Sequence, residues 1–192
     1  MTTIAVVKKN GVAAIAADTL TKWGNGKESA AYIADNDKIV RARDTWIGAA
    51  GSATFKLIMR DYFAQPGIKP RFDTTINIFK TWQTFHAVLK EKYFLVTTSD
   101  KDDVLESSRF DVLLANPHGI FGVGAHRTVQ EYLKFYAIGS GTDLALGAMY
   151  GIYDNPGLSA GQIALRAIEA AAEFDDSTGL PAVFHAVKLK KR

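Results

Sequence analysis

The strongest constraint on how this chain can fold is the order in which its hydrophobic period changes. Residues 2–7 and 12–17 are short apolar runs, and Lys9-Asn10-Gly11 between them carries the Asn-Gly pair that favours a tight hairpin. Residues 23–27, Trp-Gly-Asn-Gly-Lys, read as a loop, and 38–43 with 45–50 as a second strand pair turning at Asp44. From Ser52 the period becomes helical. Phe55, Ile58, Met59, Tyr62 and Phe63 share a face until Pro66-Gly67 stops the helix. Asp73 is placed to cap a second helix with Ile76, Phe79, Trp82, His86 and Leu89 on one broad face. Residues 93–98, 110–115 and 120–123 read as strands, the last two joined by the turn Asn116-Pro117-His118-Gly119. After Gly139-Ser140-Gly141, residues 144–153 read as a helix. Ser159 and Gln162 form a capping-box pattern for another that runs to Phe174, and 182–189 close the chain as a strand.

Strands, two helices, strands, two helices and a strand suit an α+β fold in which two antiparallel sheets are stacked between two helical layers, an αββα sandwich. With 192 residues, 47% hydrophobic and 22% charged, the chain can bury a substantial core as one domain, 1–192. It contains no cysteine, which excludes disulfides, thiolate metal sites and a cysteine nucleophile, and fits a reducing compartment such as the cytoplasm. The N-terminus lacks a secretory pattern, and no apolar run approaches the roughly 20 residues that span a bilayer, so no membrane partner is expected.

The net charge of +3 owes much to Lys188, Lys190, Lys191 and Arg192. No aromatic residue is interleaved with them, so they read as a solvated tail and not as a nucleic-acid contact. His86, His118, His126 and His185 show no metal-ligand spacing, and Gly139-Ser140-Gly141 completes neither a dinucleotide fingerprint nor a phosphate loop. No metal and no cofactor is expected.

Met1 precedes a small residue, Thr2, and is therefore removable by methionine aminopeptidase. A terminal threonine carries a hydroxyl nucleophile and, on the same residue, an amine able to act as its general base. The amine works only when neutral, and its ordinary pKa of roughly 7.7–8.0 leaves it partly protonated near neutrality. A fixed cation nearby lowers that value and eases ionisation of the hydroxyl, which a lysine held by an aspartate would provide.

Five ordered stretches make the chain resemble the proteasome β family from end to end. They are Thr2-Thr3-Ile4-Ala5-Val6, Ala16-Ala17-Asp18, Asp37-Lys38-Ile39, Ile47-Gly48-Ala49-Ala50-Gly51 and Ile138-Gly139-Ser140-Gly141. The resemblance implies that Thr2 attacks the peptide carbonyl, Lys38 tunes the site, Asp18 holds Lys38, the Gly48 N–H meets the oxyanion and Ser140 supports the terminal amine. Phe174-Asp175-Asp176-Ser177-Thr178-Gly179 looks like the family's Asp-x-x-Ser-Gly element, which makes Asp175 and Thr178 supporting residues. Thr178 stands where serine is usual. The stretch from Lys38 to Gly48 is shorter than in the proteasome, so Gly51 is a second oxyanion candidate.

The specificity pocket matched in this way comprises Thr21, Asn36, Val40, Trp46 and Ala50, with Trp46 either limiting pocket depth or packing into the sandwich. The short chain and Met-Thr start resemble the bacterial forms, first the beta-proteobacterial proteasome homologue and next HslV. Such a likeness implies an N-terminal-nucleophile hydrolase fold and an endopeptidase acting on peptides or unfolded proteins. It also implies stacked homo-oligomeric rings, heptameric or hexameric, with an ATP-dependent unfoldase as a candidate partner. Two rivals are a non-peptidase amidohydrolase of the same fold and a silent ring or scaffold subunit, since a retained Met1 would block both amine and nucleophile.

Overall fold

The computed structural model describes residues 2–97 and 104–191, so the start at Met1 and the last residue of the basic tail lie outside the described residues. Strand β1 (Thr3–Lys9) turns through Asn10 and Gly11, both at positive φ (49° and 74°), into β2 (Val12–Asp18). That backbone is the one Asn-Gly adopts most readily, and its twist matches the flanking strands. A small hairpin follows, β3 (Thr21–Trp23) with β4 (Gly26–Glu28), where a loop is expected from the glycines. A single 3₁₀ turn at Ala30–Tyr32 leads to β5 (Ile39–Ala42) and β6 (Thr45–Ala50).

Helices α1 (Thr54–Ala64) and α2 (Thr75–Lys92) come next, then β7 (Asp111–Asn116), β8 (Gly119–Val123), β9 (Val129–Tyr132) and β10 (Phe135–Gly139). Helices α3 (Thr142–Ile152) and α4 (Ala160–Phe174) precede the last strand, β11 (Ala182–Lys188). The strands form two main antiparallel sheets, a four-stranded one ordered β10-β1-β2-β11 and a five-stranded one ordered β5-β6-β7-β8-β9.

Period-2 alternation sorts the strand residues into layers. On β1 and β2, Ile4, Val6, Ala13, Ile15 and Ala17 meet Ile39, Leu113, Ala115 and Ile120 between the two sheets. The alternate residues Ala5, Val7, Ala14 and Ala16 face Met149 of α3 and Ile163, Ala164, Ala167 and Ile168 of α4. On the far side, Val40, Ile47, Val112, Leu114 and Phe121 pack under Phe55, Met59, Tyr62, Trp82, Phe85 and Leu89 of α1 and α2. The result is an αββα sandwich. A one-residue slip in any central strand would exchange its two faces, so burial on both sides fixes the register.

The structure departs from the sequence reading in several further places. Residues 93–97 are irregular, with Phe94 at φ 54° and exposed, so the strand expected over 93–98 does not form there; Thr98 lies outside the described residues. Thr74, not Asp73, caps α2, its hydroxyl accepting from the Asn77 N–H. Ile78, Trp82, Phe85, His86 and Leu89 face inward, and Ile76 and Phe79, expected on the buried face, are exposed. The sequence pattern does not mark strands β9 and β10: for β9, Val-Gln-Glu-Tyr is short and mostly polar, and pairing at the sheet edge, not local propensity, makes it a strand. The capping box at Ser159 forms as expected, the Gln162 N–H donating to its hydroxyl at 3.3 Å and the Gln162 carboxamide accepting from its N–H at 2.9 Å.

Candidate active site

The αββα frame brings the ends of β1, β2, β10 and α4 together with the segment entering β5. Asp18, the last residue of β2, is fully buried and accepts four hydrogen bonds, two on each oxygen. One oxygen takes the Lys38 ammonium at 2.7 Å and the Thr3 N–H at 3.0 Å; the other takes the Leu20 and Gly179 N–H groups at 3.1 and 3.2 Å. A carboxylate is buried at tolerable cost only when its oxygens are satisfied in this way. The Lys38 side chain is 13% exposed. Burial pulls its pKa below the ordinary lysine value, and Asp18 acts against that shift through charge and hydrogen bond. The pair therefore presents a cation fixed in place, joining the end of one sheet to the edge of the other.

Glycines let the N-terminal strand come close. Gly139 pairs with Thr3 at φ 103°, and a Cβ there would lie 1.7 Å from the Thr2 carbonyl oxygen. No side chain fits in that space. A Cβ at Gly141 would meet the Ala171 Cβ and the Thr3 hydroxyl at 2.7 Å each. Between these two glycines the Ser140 N–H donates to the Thr2 carbonyl at 3.1 Å, extending the β1–β10 ladder by one step.

The Ser140 hydroxyl donates to Asp175 at 2.6 Å, and Thr178 donates to the same carboxylate oxygen at 2.6 Å. Because the Thr178 proton is committed to Asp175, its oxygen accepts from Thr3, 2.5 Å away, and the Thr3 oxygen accepts the Gly141 N–H at 3.0 Å. Ser140, Asp175, Thr178, Thr3 and Gly141 thus form one directional network beneath Thr2. Asp175 lies at the carboxyl end of α4, where the helix dipole disfavours a negative charge. Burial also raises its pKa, but the bonds from Ser140, Thr178 and the Ser177 N–H outweigh this and hold it below the ordinary carboxylate value. Nothing in the sequence pattern marks Thr3 as a site residue, yet as the partner of Thr178 it is part of the support.

Beside Thr2 opens a cavity of about 330 Å³, lined by Leu20, Thr21, Lys22, Trp23, Asp35, Asn36, Lys38, Ala49, Gly51, Ser52, Ala53 and Lys56. Of the expected pocket residues, Thr21 and Asn36 are there. Val40 is not, because it points to the α1–α2 side of its sheet. Trp46 is not either: alternation along β6 sends it between the sheets, where its ring stacks on His185 with centroids 3.9 Å apart. Ala50 shares the Trp46 and Gly48 parity and is also absent from the lining. At Gly48 a Cβ would come within 3.0 Å of Ile4, so this glycine permits close approach of the two sheets, while Gly51 lies on the cavity wall. Lys22, Asp35 and Lys56 are lining residues that sequence reasoning missed, since nothing in their local pattern marks the three elements as converging. Among the described residues no cluster of histidine, aspartate and glutamate is arranged to hold a metal ion.

No family model matches the chain, and no curated relative does. Among solved structures it is similar to Thiobacillus denitrificans BPH, with 54% identity over 99% of this chain and 100% of that one and a TM-score of 0.94. The same protein in complex with epoxomicin matches at 53% identity over 98% and 100%, with a TM-score of 0.92. Eukaryotic HslV from Trypanosoma brucei shares the fold at 19% identity over 97% and 99%, with a TM-score of 0.64. At such identity over nearly all of its length, the chain belongs to the family of bacterial proteasome homologues, threonine peptidases of the proteasome β type with an N-terminal-nucleophile hydrolase fold.

Proposed function

We propose that this chain is a subunit of a self-compartmentalised endopeptidase whose nucleophile is the hydroxyl of Thr2, exposed when Met1 is removed. The observation that carries the reading is the buried Lys38–Asp18 pair, 2.7 Å long, with Lys38 and Thr2 lining one cavity. The freed amine of Thr2 takes the hydroxyl proton, the oxygen adds to the peptide carbonyl, and the amine returns the proton to the leaving nitrogen. Water then hydrolyses the ester. The positive charge of Lys38 favours the neutral amine and the ionising hydroxyl. Asp18 holds Lys38, and Ser140 on its Asp175–Thr178 base fixes the ground on which the amine sits.

The oxyanion donor belongs to residues 48–51, the end of β6, which reaches the cavity through Ala49 and Gly51. A donor of this kind is worth roughly 10² to 10³ in rate. Thr21 and Asn36 contact the substrate side chain within the cavity. The epoxomicin complex of the Thiobacillus denitrificans neighbour supports the same inhibitor binding at Thr2 here, since that compound acts on threonine proteases. Peptides and unfolded proteins are the substrates. Stacked homomeric rings of six or seven subunits, a cytoplasmic location and delivery by an ATP-dependent unfoldase complete the reading. Among the described residues no helix is long and apolar enough to cross a membrane. Thr2→Ala tests the assignment: it should abolish cleavage of a fluorogenic peptide and leave fold and assembly as they were, and full turnover by the variant would remove the claim.

A further inference from the structure

The Lys38–Asp18 pair joins two sheets, because Asp18 ends β2 in the four-stranded sheet while Lys38 immediately precedes β5, an edge of the five-stranded one. Anything that sets the spacing of those two edges sets the position of the ammonium. One residue before Lys38, the Asp37 carboxylate accepts the Ile39 N–H on one oxygen and His185 Nε2–H on the other, both at 2.8 Å. His185 stands on β11, the edge strand beside β2, opposite Ile15. Its ring lies flat on Trp46 of β6, with an interplanar angle of 11°, and the Arg41 guanidinium of β5 covers the indole 5.2 Å from its centroid.

Arg41, Trp46, His185 and Asp37 therefore form a column that ties together the same two sheets the ion pair spans, one residue away from it. The His185 and Asp37 side chains keep 27% and 29% of their exposure, too much for the column to be explained by core burial. We propose that His185 is a positioning residue for Lys38: through Asp37 it pins the start of β5 so that the ammonium is held beside Thr2. The inference rests on the role given to Lys38 above. A displacement of about 1 Å in a group that acts on reacting atoms costs on the order of a hundredfold, which makes such a tie consequential.

The test uses two substitutions and the rate at which a peptide epoxyketone labels Thr2, followed from about pH 6 to about pH 9 to bracket the ordinary amine value. His185→Phe keeps a ring to stack on Trp46 and donates nothing to Asp37. His185→Gln restores an N–H donor at nearly the same reach. The charged groups around the Thr2 end of the cavity are Lys22, Asp35, Lys38 and Lys56 on its walls, Asp18 beneath Lys38 and Asp175 beneath Ser140; none is altered. Those facing His185 are Asp37 and, beyond the indole, Arg41.

His185→Phe should label about tenfold more slowly near pH 7, with the deficit closing toward pH 9 as the amine, freed from the full field of Lys38, titrates at a higher value. His185→Gln should recover most of the rate and the original profile. Should the phenylalanine variant not fold, Asp37→Ala breaks the same bond from the other side and carries the same expectation. A wild-type rate and profile in His185→Phe, or equal losses in both variants with an unshifted profile and lowered melting temperatures, would overturn the inference. Failure of the unmodified protein to label at Thr2 would instead sink the role of Lys38 from which it starts.

Discussion

Asp175 sits at the helix end where its charge is least favoured, and three hydrogen bonds keep it ionised. Its lowered pKa means that its contribution to stability is present above the ordinary carboxylate value and is lost as pH falls through the lowered one. Thr178→Val removes one donor and leaves Thr3 without its acceptor, so the acid-unfolding midpoint, followed by circular dichroism, should move to higher pH. At neutral pH the same change should cost about 1.5–3 kcal/mol, the range for a hydrogen bond to a charged group. Lys38→Arg keeps the charge but brings a bulky planar fork to the place where the ammonium meets Asp18 at 2.7 Å, and peptidase activity should fall at least about a hundredfold. A near-normal rate would show that the position of the ammonium is immaterial. Asp18, Lys38, Ser140, Asp175 and Thr178 were legible in the sequence because the resemblance carries them on short ordered motifs. Thr3 and His185 were not, since each earns its place through a partner more than a hundred residues away.

Trp46 shows what element-level geometry adds. The sequence allowed either a pocket wall or a sandwich residue, and the pairing of Trp46 with Arg41 and Ala115 decides the side on which the indole lies. With the indole outside the cavity, large residues before the scissile bond lose the obstacle that the pocket assignment placed there. Trp46→Ala should therefore lower stability, by about 3 kcal/mol at the small end of aromatic truncations because the ring is only partly buried, and should open no new cleavage after Phe or Leu. A peptide-library profile that gains those cleavages with an unchanged melting temperature would restore Trp46 to the pocket. Long apolar-periodic helices and the Asn-Gly hairpin were readable in advance. The edge strand β9 and the true cap of α2 were not, because a four-residue polar strand and a choice between Asp73 and Thr74 are settled by tertiary pairing.

At the scale of the whole molecule, the αββα order followed from counting period changes along the chain, but the cavity did not. Its walls come from β3, the segment entering β5 and the corner between β6 and α1, and no local pattern announces that these converge on Thr2. Exposed Ile76 and Phe79 on α2 leave apolar surface available for subunit contacts. Light scattering across micromolar concentrations should find a ring assembly, and a species that stays monomeric would count against compartmentalised proteolysis. The role of Thr2 itself is read by intact-mass and peptide mass spectrometry of the natural protein before and after exposure to a threonine-directed epoxyketone. The protein should lack Met1 and gain one inhibitor, with the adduct on Thr2 and none on Thr2→Ala; a chain that keeps Met1, or an adduct elsewhere with Thr2 unmodified, would contradict Thr2 as the nucleophile.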